Sequence, residues 1–177
     1  MTIIPNDNQY GTHFIPLTFA MLYTNGPILE MGAGHYSTPL LHLMSEKLNR
    51  KLYTADTSRN WLEEFTEFEN ELHEFHYVPV YDDDWSLNPR PNMWDKFLDI
   101  ENGWGVVFID HRPGDRRKVD VANYAQKSQI VVVHDTEESS YDYESAFSMY
   151  KYRKDYKRFE TCTTLLSNYF DFDNYNF

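Results

Sequence analysis

The chain has 177 residues and carries 16 Lys and Arg against 28 Asp and Glu, a net charge of −12. That field repels a nucleic-acid phosphate backbone on average, and sets an expectation of no nucleic-acid partner. At 41% hydrophobic residues, one domain spanning 1–177 can bury a core, while the lone Cys162 excludes an internal disulfide framework and a thiolate zinc site. The start lacks a secretory pattern and no stretch approaches the ~20 apolar residues of a membrane span, so a soluble, cytoplasmic protein without a membrane partner is expected.

Residues 11–23 place Phe14, Leu17, Met21 and Leu22 at helical spacing, with Pro16 tolerable near the helix start. ILEM at 28–31 is a short apolar run behind Gly26 and Pro27. Residues 39–48 repeat Leu40, Leu41, Met44 and Leu48 as a second helix, with Ser37 or Thr38 as its N-cap and Pro39 near its first position. A strand over 51–56 is followed by a helix over 59–71, and a strand over 74–81 whose Pro79 argues for the sheet's edge. After a loop comes a short helix over 93–100, then WGVVFID at 104–110, apolar enough for a strand buried on both faces. A helix over 115–126, a second buried strand over 129–135, a helix over 140–154 and one or two strands within 159–170 complete the series. The aromatic, acidic tail from Tyr169 is compatible with a last strand or with a frayed end.

Alternation of this kind predicts an α/β protein: a three-layer α/β/α, Rossmann-like domain around a mostly parallel sheet of six or seven strands. Such sheets bind ligands beyond the carboxyl ends of their strands, at the switch in strand order. Gly32 and Gly34 fall in the loop after the first strand, where the backbone must turn sharply and a ligand can approach without a Cβ in its way. The next helix offers free N–H groups and the hydroxyls of Ser37 and Thr38. Glu30 before the glycines would repel a pyrophosphate and suits a cationic group, while Asp56 ends the second strand, where an acid bonds ribose hydroxyls. The pair asks for a ligand with a ribose and a cation but no phosphates, the combination found in S-adenosylmethionine.

EMGAGHYS at 30–37 resembles the first motif of class I S-adenosylmethionine-dependent methyltransferases, with Asp56 in the place of the ribose-binding acid. GAGHYS, VVVHDTEESSYDYESAF and IDHRPGDRR together resemble signatures of plant polysaccharide O-methyltransferases that act on glucuronoxylan, over about 26–147. The plant proteins are longer, so the resemblance implies a minimal version of the kind a virus or microbe would use to decorate glycans. It further implies an O-methyltransferase with a sugar or glycan hydroxyl as acceptor. Tyr10 and Thr12 would close over the methionine end, His35 would lie in the cofactor loop, and Asp83 and Trp85 would meet the adenine.

Two strands end in ionisable pairs, Asp110–His111 and His134–Asp135. Aligned strand ends bring such pairs together beside the glycine loop. Two chemistries fit. In one, Asp110 and Asp135 hold Mg²⁺ or Mn²⁺, as in catechol-type O-methyltransferases, which VVFIDH resembles. In the other, His111 or His134 takes the hydroxyl proton without a metal and an aspartate orients the ring. Arg112, Arg116 and Arg117 could meet an anionic acceptor such as a uronate or merely solvate a helix start, whereas His13, His42, His73 and His76 read as structural or exposed. Other functions open to the same fold are a dinucleotide-binding oxidoreductase and a non-catalytic cofactor-binding module. The oligomeric state is left open.

Overall fold

The computed structural model describes residues 11–79, 93–159 and 161–175. Its strands are β1 (Ile28–Met31), β2 (Leu52–Asp56), β3 (His73–Tyr77), β4 (Trp104–Ile109), β5 (Ser128–His134), β6 (Tyr152–Tyr156) and β7 (Thr163–Ser167). They form one seven-stranded sheet in the order β3-β2-β1-β4-β5-β7-β6. The five strands from β3 to β5 are parallel; β7 runs antiparallel to both β5 and β6. The helices are α1 (Phe14–Tyr23), α2 (Ser37–Leu48), α3 (Arg59–Glu63), α4 (Arg117–Asn123) and α5 (Glu144–Phe147).

Period-two alternation explains the two layers. Ile28, Val106, Phe108, Ile130, Val132 and Leu165 point to one face, under Leu17, Ala20 and Met21 of α1 and Leu41 of α2. Leu29, Met31, Val107, Ile109, Val131 and Val133 point to the other, under Val121 of α4 and Ala146 and Phe147 of α5. β4 is buried along its whole length, as a central parallel strand covered on both faces must be. Each fully buried aliphatic or aromatic side chain contributes roughly 1.5–3 kcal/mol, so the central strands anchor the sheet edge where the site lies.

Several boundaries differ from the sequence expectation. The helix expected over 140–154 is a 3₁₀ turn at Ser139–Tyr141 and the short α5, and the chain then enters β6. Tyr152 to Tyr156 alternate in the sheet, with Tyr156 buried and Arg153 turned out to Glu144 and Asp155. α3 is shorter than expected, closing into a 3₁₀ turn at Thr66–Phe68. The segment expected as a helix over 93–100 is a 3₁₀ helix at Met93–Phe97. α2 starts at Ser37, so Tyr36 rather than Ser37 or Thr38 occupies the N-cap position. β3 is an edge strand, as Pro79 suggests, but it ends at Tyr77, with Val78 and Pro79 already outside it; residues 80 and 81 of the expected strand lie outside the described residues. The tail forms no strand up to residue 175. Phe170 and Tyr175 instead pack on Phe19 of α1, with ring centroids 5.5 and 5.1 Å away.

Candidate functional site

Strand order reverses between β1 and β4, and a cavity of about 720 Å³ opens there, at the carboxyl ends of β1, β2, β4 and β5. Its size falls within the range of small-molecule sites, roughly 300–1,000 Å³. One end is built by the glycine loop and the end of β2. Asp56 holds that corner: its carboxylate accepts from the Ala33 N–H at 3.0 Å and the Ser58 N–H at 2.8 Å. Burial pushes its pKa up against those backbone bonds. The Trp61 indole N–H donates to the Ala33 carbonyl at 2.7 Å and its ring meets His35 edge-on at 4.8 Å. Gly34, His35, Tyr36, Ser37, Asp56 and Trp61 all line this end.

The other end carries charge. Arg117, 5% exposed on α4, reaches Asp110 at 2.9 Å with one guanidinium nitrogen and Asp135 at 2.9 Å with another. It also donates to the backbone carbonyls of His111 and Asp110, so its orientation is fixed. His134 lies between the two acids, with Nδ1 3.1 Å from Asp135 and 3.5 Å from Asp110. These are ion-pair distances off the line of a straight N–H···O bond, and the opposite nitrogen, Nε2, is bonded to the Thr12 hydroxyl at 3.0 Å. Burial works against the charged imidazole, but Asp110 and Asp135 outweigh it and lift the His134 pKa to about 9. Asp135 answers in the other direction: burial would raise it, yet His134 and Arg117 bring it to about 2. At neutral pH the charged Asp135 therefore faces two cations, His134 and Arg117.

His13 completes this end. Its ring lines the cavity, 5.0 Å from that of His134, and is 3% exposed. Neither ring nitrogen has a hydrogen-bond partner, and burial, with the charge of His134, takes its pKa down to about 3. It is a neutral imidazole with donor and acceptor both unused, and unsatisfied buried groups of this kind cluster at functional sites.

Gly34, His35, Ser37, Asp56, Asp110, His134 and Asp135 all line the cavity. Others among the expected site residues do not. Glu30 is fully buried beneath the loop and accepts from the hydroxyls of Thr38 and Thr54, so it presents no oxygen to a ligand. Gly32 is required by protein rather than by ligand: its φ is +100°, and a Cβ there would lie 2.7 Å from the Asp110 carbonyl. The Thr12 hydroxyl oxygen accepts from Nε2 of the protonated His134 instead of facing the cavity. His111, 1% exposed, is held by Asp120 at 3.0 Å and packed on Trp94, away from the cavity, which removes it as the base. Arg116 is bound to Asp120 and Asp95, leaving Arg112 as the arginine of the three that lines the cavity without an ion pair among the described residues. Tyr10, Asp83 and Trp85 lie outside the described residues.

The metal expectation meets a filled site. Ligand atoms of Asp110, His134 and Asp135 converge within 4.8 Å. A divalent ion there would sit beside the fixed positive charge of Arg117, which already holds one oxygen of each carboxylate, and would have to strip the proton from His134, because only a neutral imidazole ligates metal. The donor set does not fit Mg²⁺ or Mn²⁺ while Arg117 stands where it does.

Sheet order, the antiparallel β7 and the crevice at the switch point define the Rossmann-like fold of methyltransferase domains. No family model matches the chain, and no curated protein matches it in sequence. Solved structures do. The METTL16 MTase domain is 11% identical with a TM-score of 0.59, over 95% of this chain and 71% of that one. A human methyltransferase 10 domain containing protein is 14% identical with a TM-score of 0.55, over 95% of this chain and 85% of that one. At these identities the likeness is one of fold. No helix among the described residues is long and apolar enough to cross a membrane.

Proposed function

We propose that the protein is an S-adenosylmethionine-dependent O-methyltransferase acting on a sugar or glycan hydroxyl without a metal. The observation that carries this reading is one cavity with a glycine loop and Asp56 at one end and the Asp110–His134–Asp135 cluster at the other. Asp56 keeps lone pairs for ribose hydroxyls, and Trp61 and His35 offer ring faces and edges to a base or sugar. Gly34 and Ser37 line the place where the methionine end would rest. The cofactor, when bound, supplies an electrophilic methyl group.

What the chain supplies is orientation and a place for the acceptor's proton. His134 is protonated near neutrality and cannot be the base; with Arg117 it fixes the two carboxylates. Asp110, at the cavity wall with its side chain 27% exposed, is the proton acceptor in this reading. The neutral His13 imidazole supplies a further hydrogen bond to the hydroxyl. Proximity and alignment do most of the rest. The glycan acceptor is supported by the sequence resemblance and by Arg112, which lines the cavity with no ion pair among the described residues and suits a uronate carboxylate.

The test is transfer of a labelled methyl group from S-adenosylmethionine to mono- and oligosaccharides, neutral and uronate, with and without EDTA. Expected are label on a uronate-containing acceptor, full activity in EDTA, and none in Asp110→Asn. Label on RNA or protein alone would discard the glycan acceptor. Loss of activity in EDTA would restore the metal, and cofactor binding without transfer to any acceptor would leave a non-catalytic module.

A further inference from the structure

Glu30 is 0% exposed, yet a line of hydrogen-bonding groups runs from it to the surface on the far side of α2. The Thr54 hydroxyl on β2 lies 2.6 Å from Glu30 Oε2 and 2.8 Å from Nε2 of His73 on β3. His73 Nδ1 faces His42 Nδ1 on α2 at 3.2 Å, and His42 Nε2 lies 3.8 Å from the exposed carboxylate of Glu46. Two like nitrogens at that separation attract only if one carries a proton and the other does not, so the histidine pair has a polarity. Reversing it moves a proton.

We infer that Glu30, Thr54, His73 and His42 form a proton path between the floor of the glycine loop and the surface at Glu46, through which the loop adjusts its charge to a cationic ligand. This rests on the reading of the loop as a cofactor site. With Glu30 protonated, its O–H donates to Thr54, Thr54 donates to His73 Nε2, and His73 Nδ1–H donates to His42 Nδ1. A concerted shift moves the proton of Glu30 to the Thr54 oxygen and the proton of Thr54 to His73 Nε2. The proton of His73 Nδ1 passes to His42, which briefly holds two protons and releases one from Nε2 to Glu46 or water. One proton leaves Glu30, one leaves His42, and every group between regains its starting count.

The surroundings favour exchange at neutral pH. Burial raises the Glu30 pKa to about 7 against hydrogen bonds from Ser37, Thr54 and Thr38, and the charge of Asp56 adds to the rise. In register beside it on β4 is the neutral Phe108. His73 is kept neutral, its pKa lowered to about 3 by burial and by His42, so it relays without holding charge. Coupling to the ligand runs through α2. The Gly34 N–H donates to the Thr38 hydroxyl at 2.9 Å, which in turn donates to Glu30 at 3.0 Å, and Ser37 both lines the cavity and bonds Glu30. A cation at Ser37 and Gly34 draws Glu30 toward its carboxylate form. It also closes the cavity side, leaving the histidines as the exit.

Infrared spectroscopy of the ligand-free protein tests the path directly. At pH 6 one protonated carboxyl band is expected that titrates away around pH 7 and is missing in Glu30→Gln. Mixed into D₂O, that band should shift within the mixing time in the wild type and at least tenfold more slowly in His42→Phe, a change at the outer, partly exposed end of the path. Calorimetry with S-adenosylhomocysteine and S-adenosylmethionine, in buffers of different ionisation heat, should show release of up to one proton at pH 6.5 in the wild type and none in Glu30→Gln. A missing band, or one unchanged in Glu30→Gln, overturns the buried acid. Equal exchange rates in wild type and His42→Phe overturn the path. If neither compound binds, the cofactor reading fails while the two infrared results still decide the path.

Discussion

The molecule holds two carboxylates at the same sheet edge in different ways, Glu30 on β1 and Asp135 just after β5, and they behave oppositely. Among the described residues Glu30 is hydrogen-bonded by the hydroxyls of Ser37, Thr38 and Thr54 and meets no cation, and burial raises its pKa to about 7. Asp135 is met by Arg117 and a protonated His134, and its pKa falls to about 2. Hydroxyls can serve either protonation state; fixed cations serve only the charged one. The first arrangement suits a group that exchanges protons; the second keeps Asp135 charged.

The comparison breaks most severely at Arg117. Replacing it with Met leaves two partly buried carboxylates with His134 alone, and breaking a buried pair costs about 3–5 kcal/mol. Denaturant unfolding measures this; a loss below about 1 kcal/mol would show that solvent, not Arg117, carries those charges.

His134 sets the next effect. Its folded pKa, about 9, lies above the ordinary 6.5, so its contribution is fully present below pH 6.5 and is lost as pH rises toward 9. Wild-type stability should fall by about 3 kcal/mol over that window, and His134→Gln should flatten the fall. A fall of equal size in the variant would assign it to other groups.

Glu30 works in a lower window. Because its folded pKa is raised from 4.5 to about 7, the folded state binds the extra proton, and its share of stability drains away as pH climbs between those values. His13 and His73, both lowered to about 3, push the other way, adding stability as pH rises from about 3 to 6.5. The useful quantity is thus the difference between Glu30→Gln and wild type. It should grow in favour of the variant across pH 4.5–7, by on the order of 2 kcal/mol. A pH-independent difference would remove the contrast between the two regions.

The sequence made the scaffold of the site readable because parallel strands deliver their carboxyl ends to one edge. Gly34, Asp56, Asp110 and His134 could be placed from strand ends alone. His111 could not be told from His134 that way. Asp110 and His111 both lie just past the end of β4, where His111 is drawn off to Asp120 and Trp94 while Asp110 lines the cavity. Asp135 takes a left-handed backbone, φ 56°, which lets both members of the second pair reach the cavity. Arg117 was read as a solvated helix start or an acceptor anchor because its partners lie 7 and 18 positions away, and His13 was set aside because helical spacing does not reveal an empty hydrogen-bonding environment. Trp61 carried no signal beyond an apolar helical face, although its N–H fixes the glycine loop. The strand at Tyr152–Tyr156 was missed because its charged Arg153, Lys154 and Asp155 mask the alternation of an edge strand.

The most direct measurement is calorimetric titration of the protein with S-adenosylmethionine and S-adenosylhomocysteine, beside the Asp56→Ala variant. The account predicts one molecule bound per chain, with affinity roughly tenfold or more lower in the variant, as expected when a charged hydrogen-bond partner of the ribose is removed. Tight binding of a nicotinamide dinucleotide with none of either compound, or equal binding by wild type and Asp56→Ala, would contradict it.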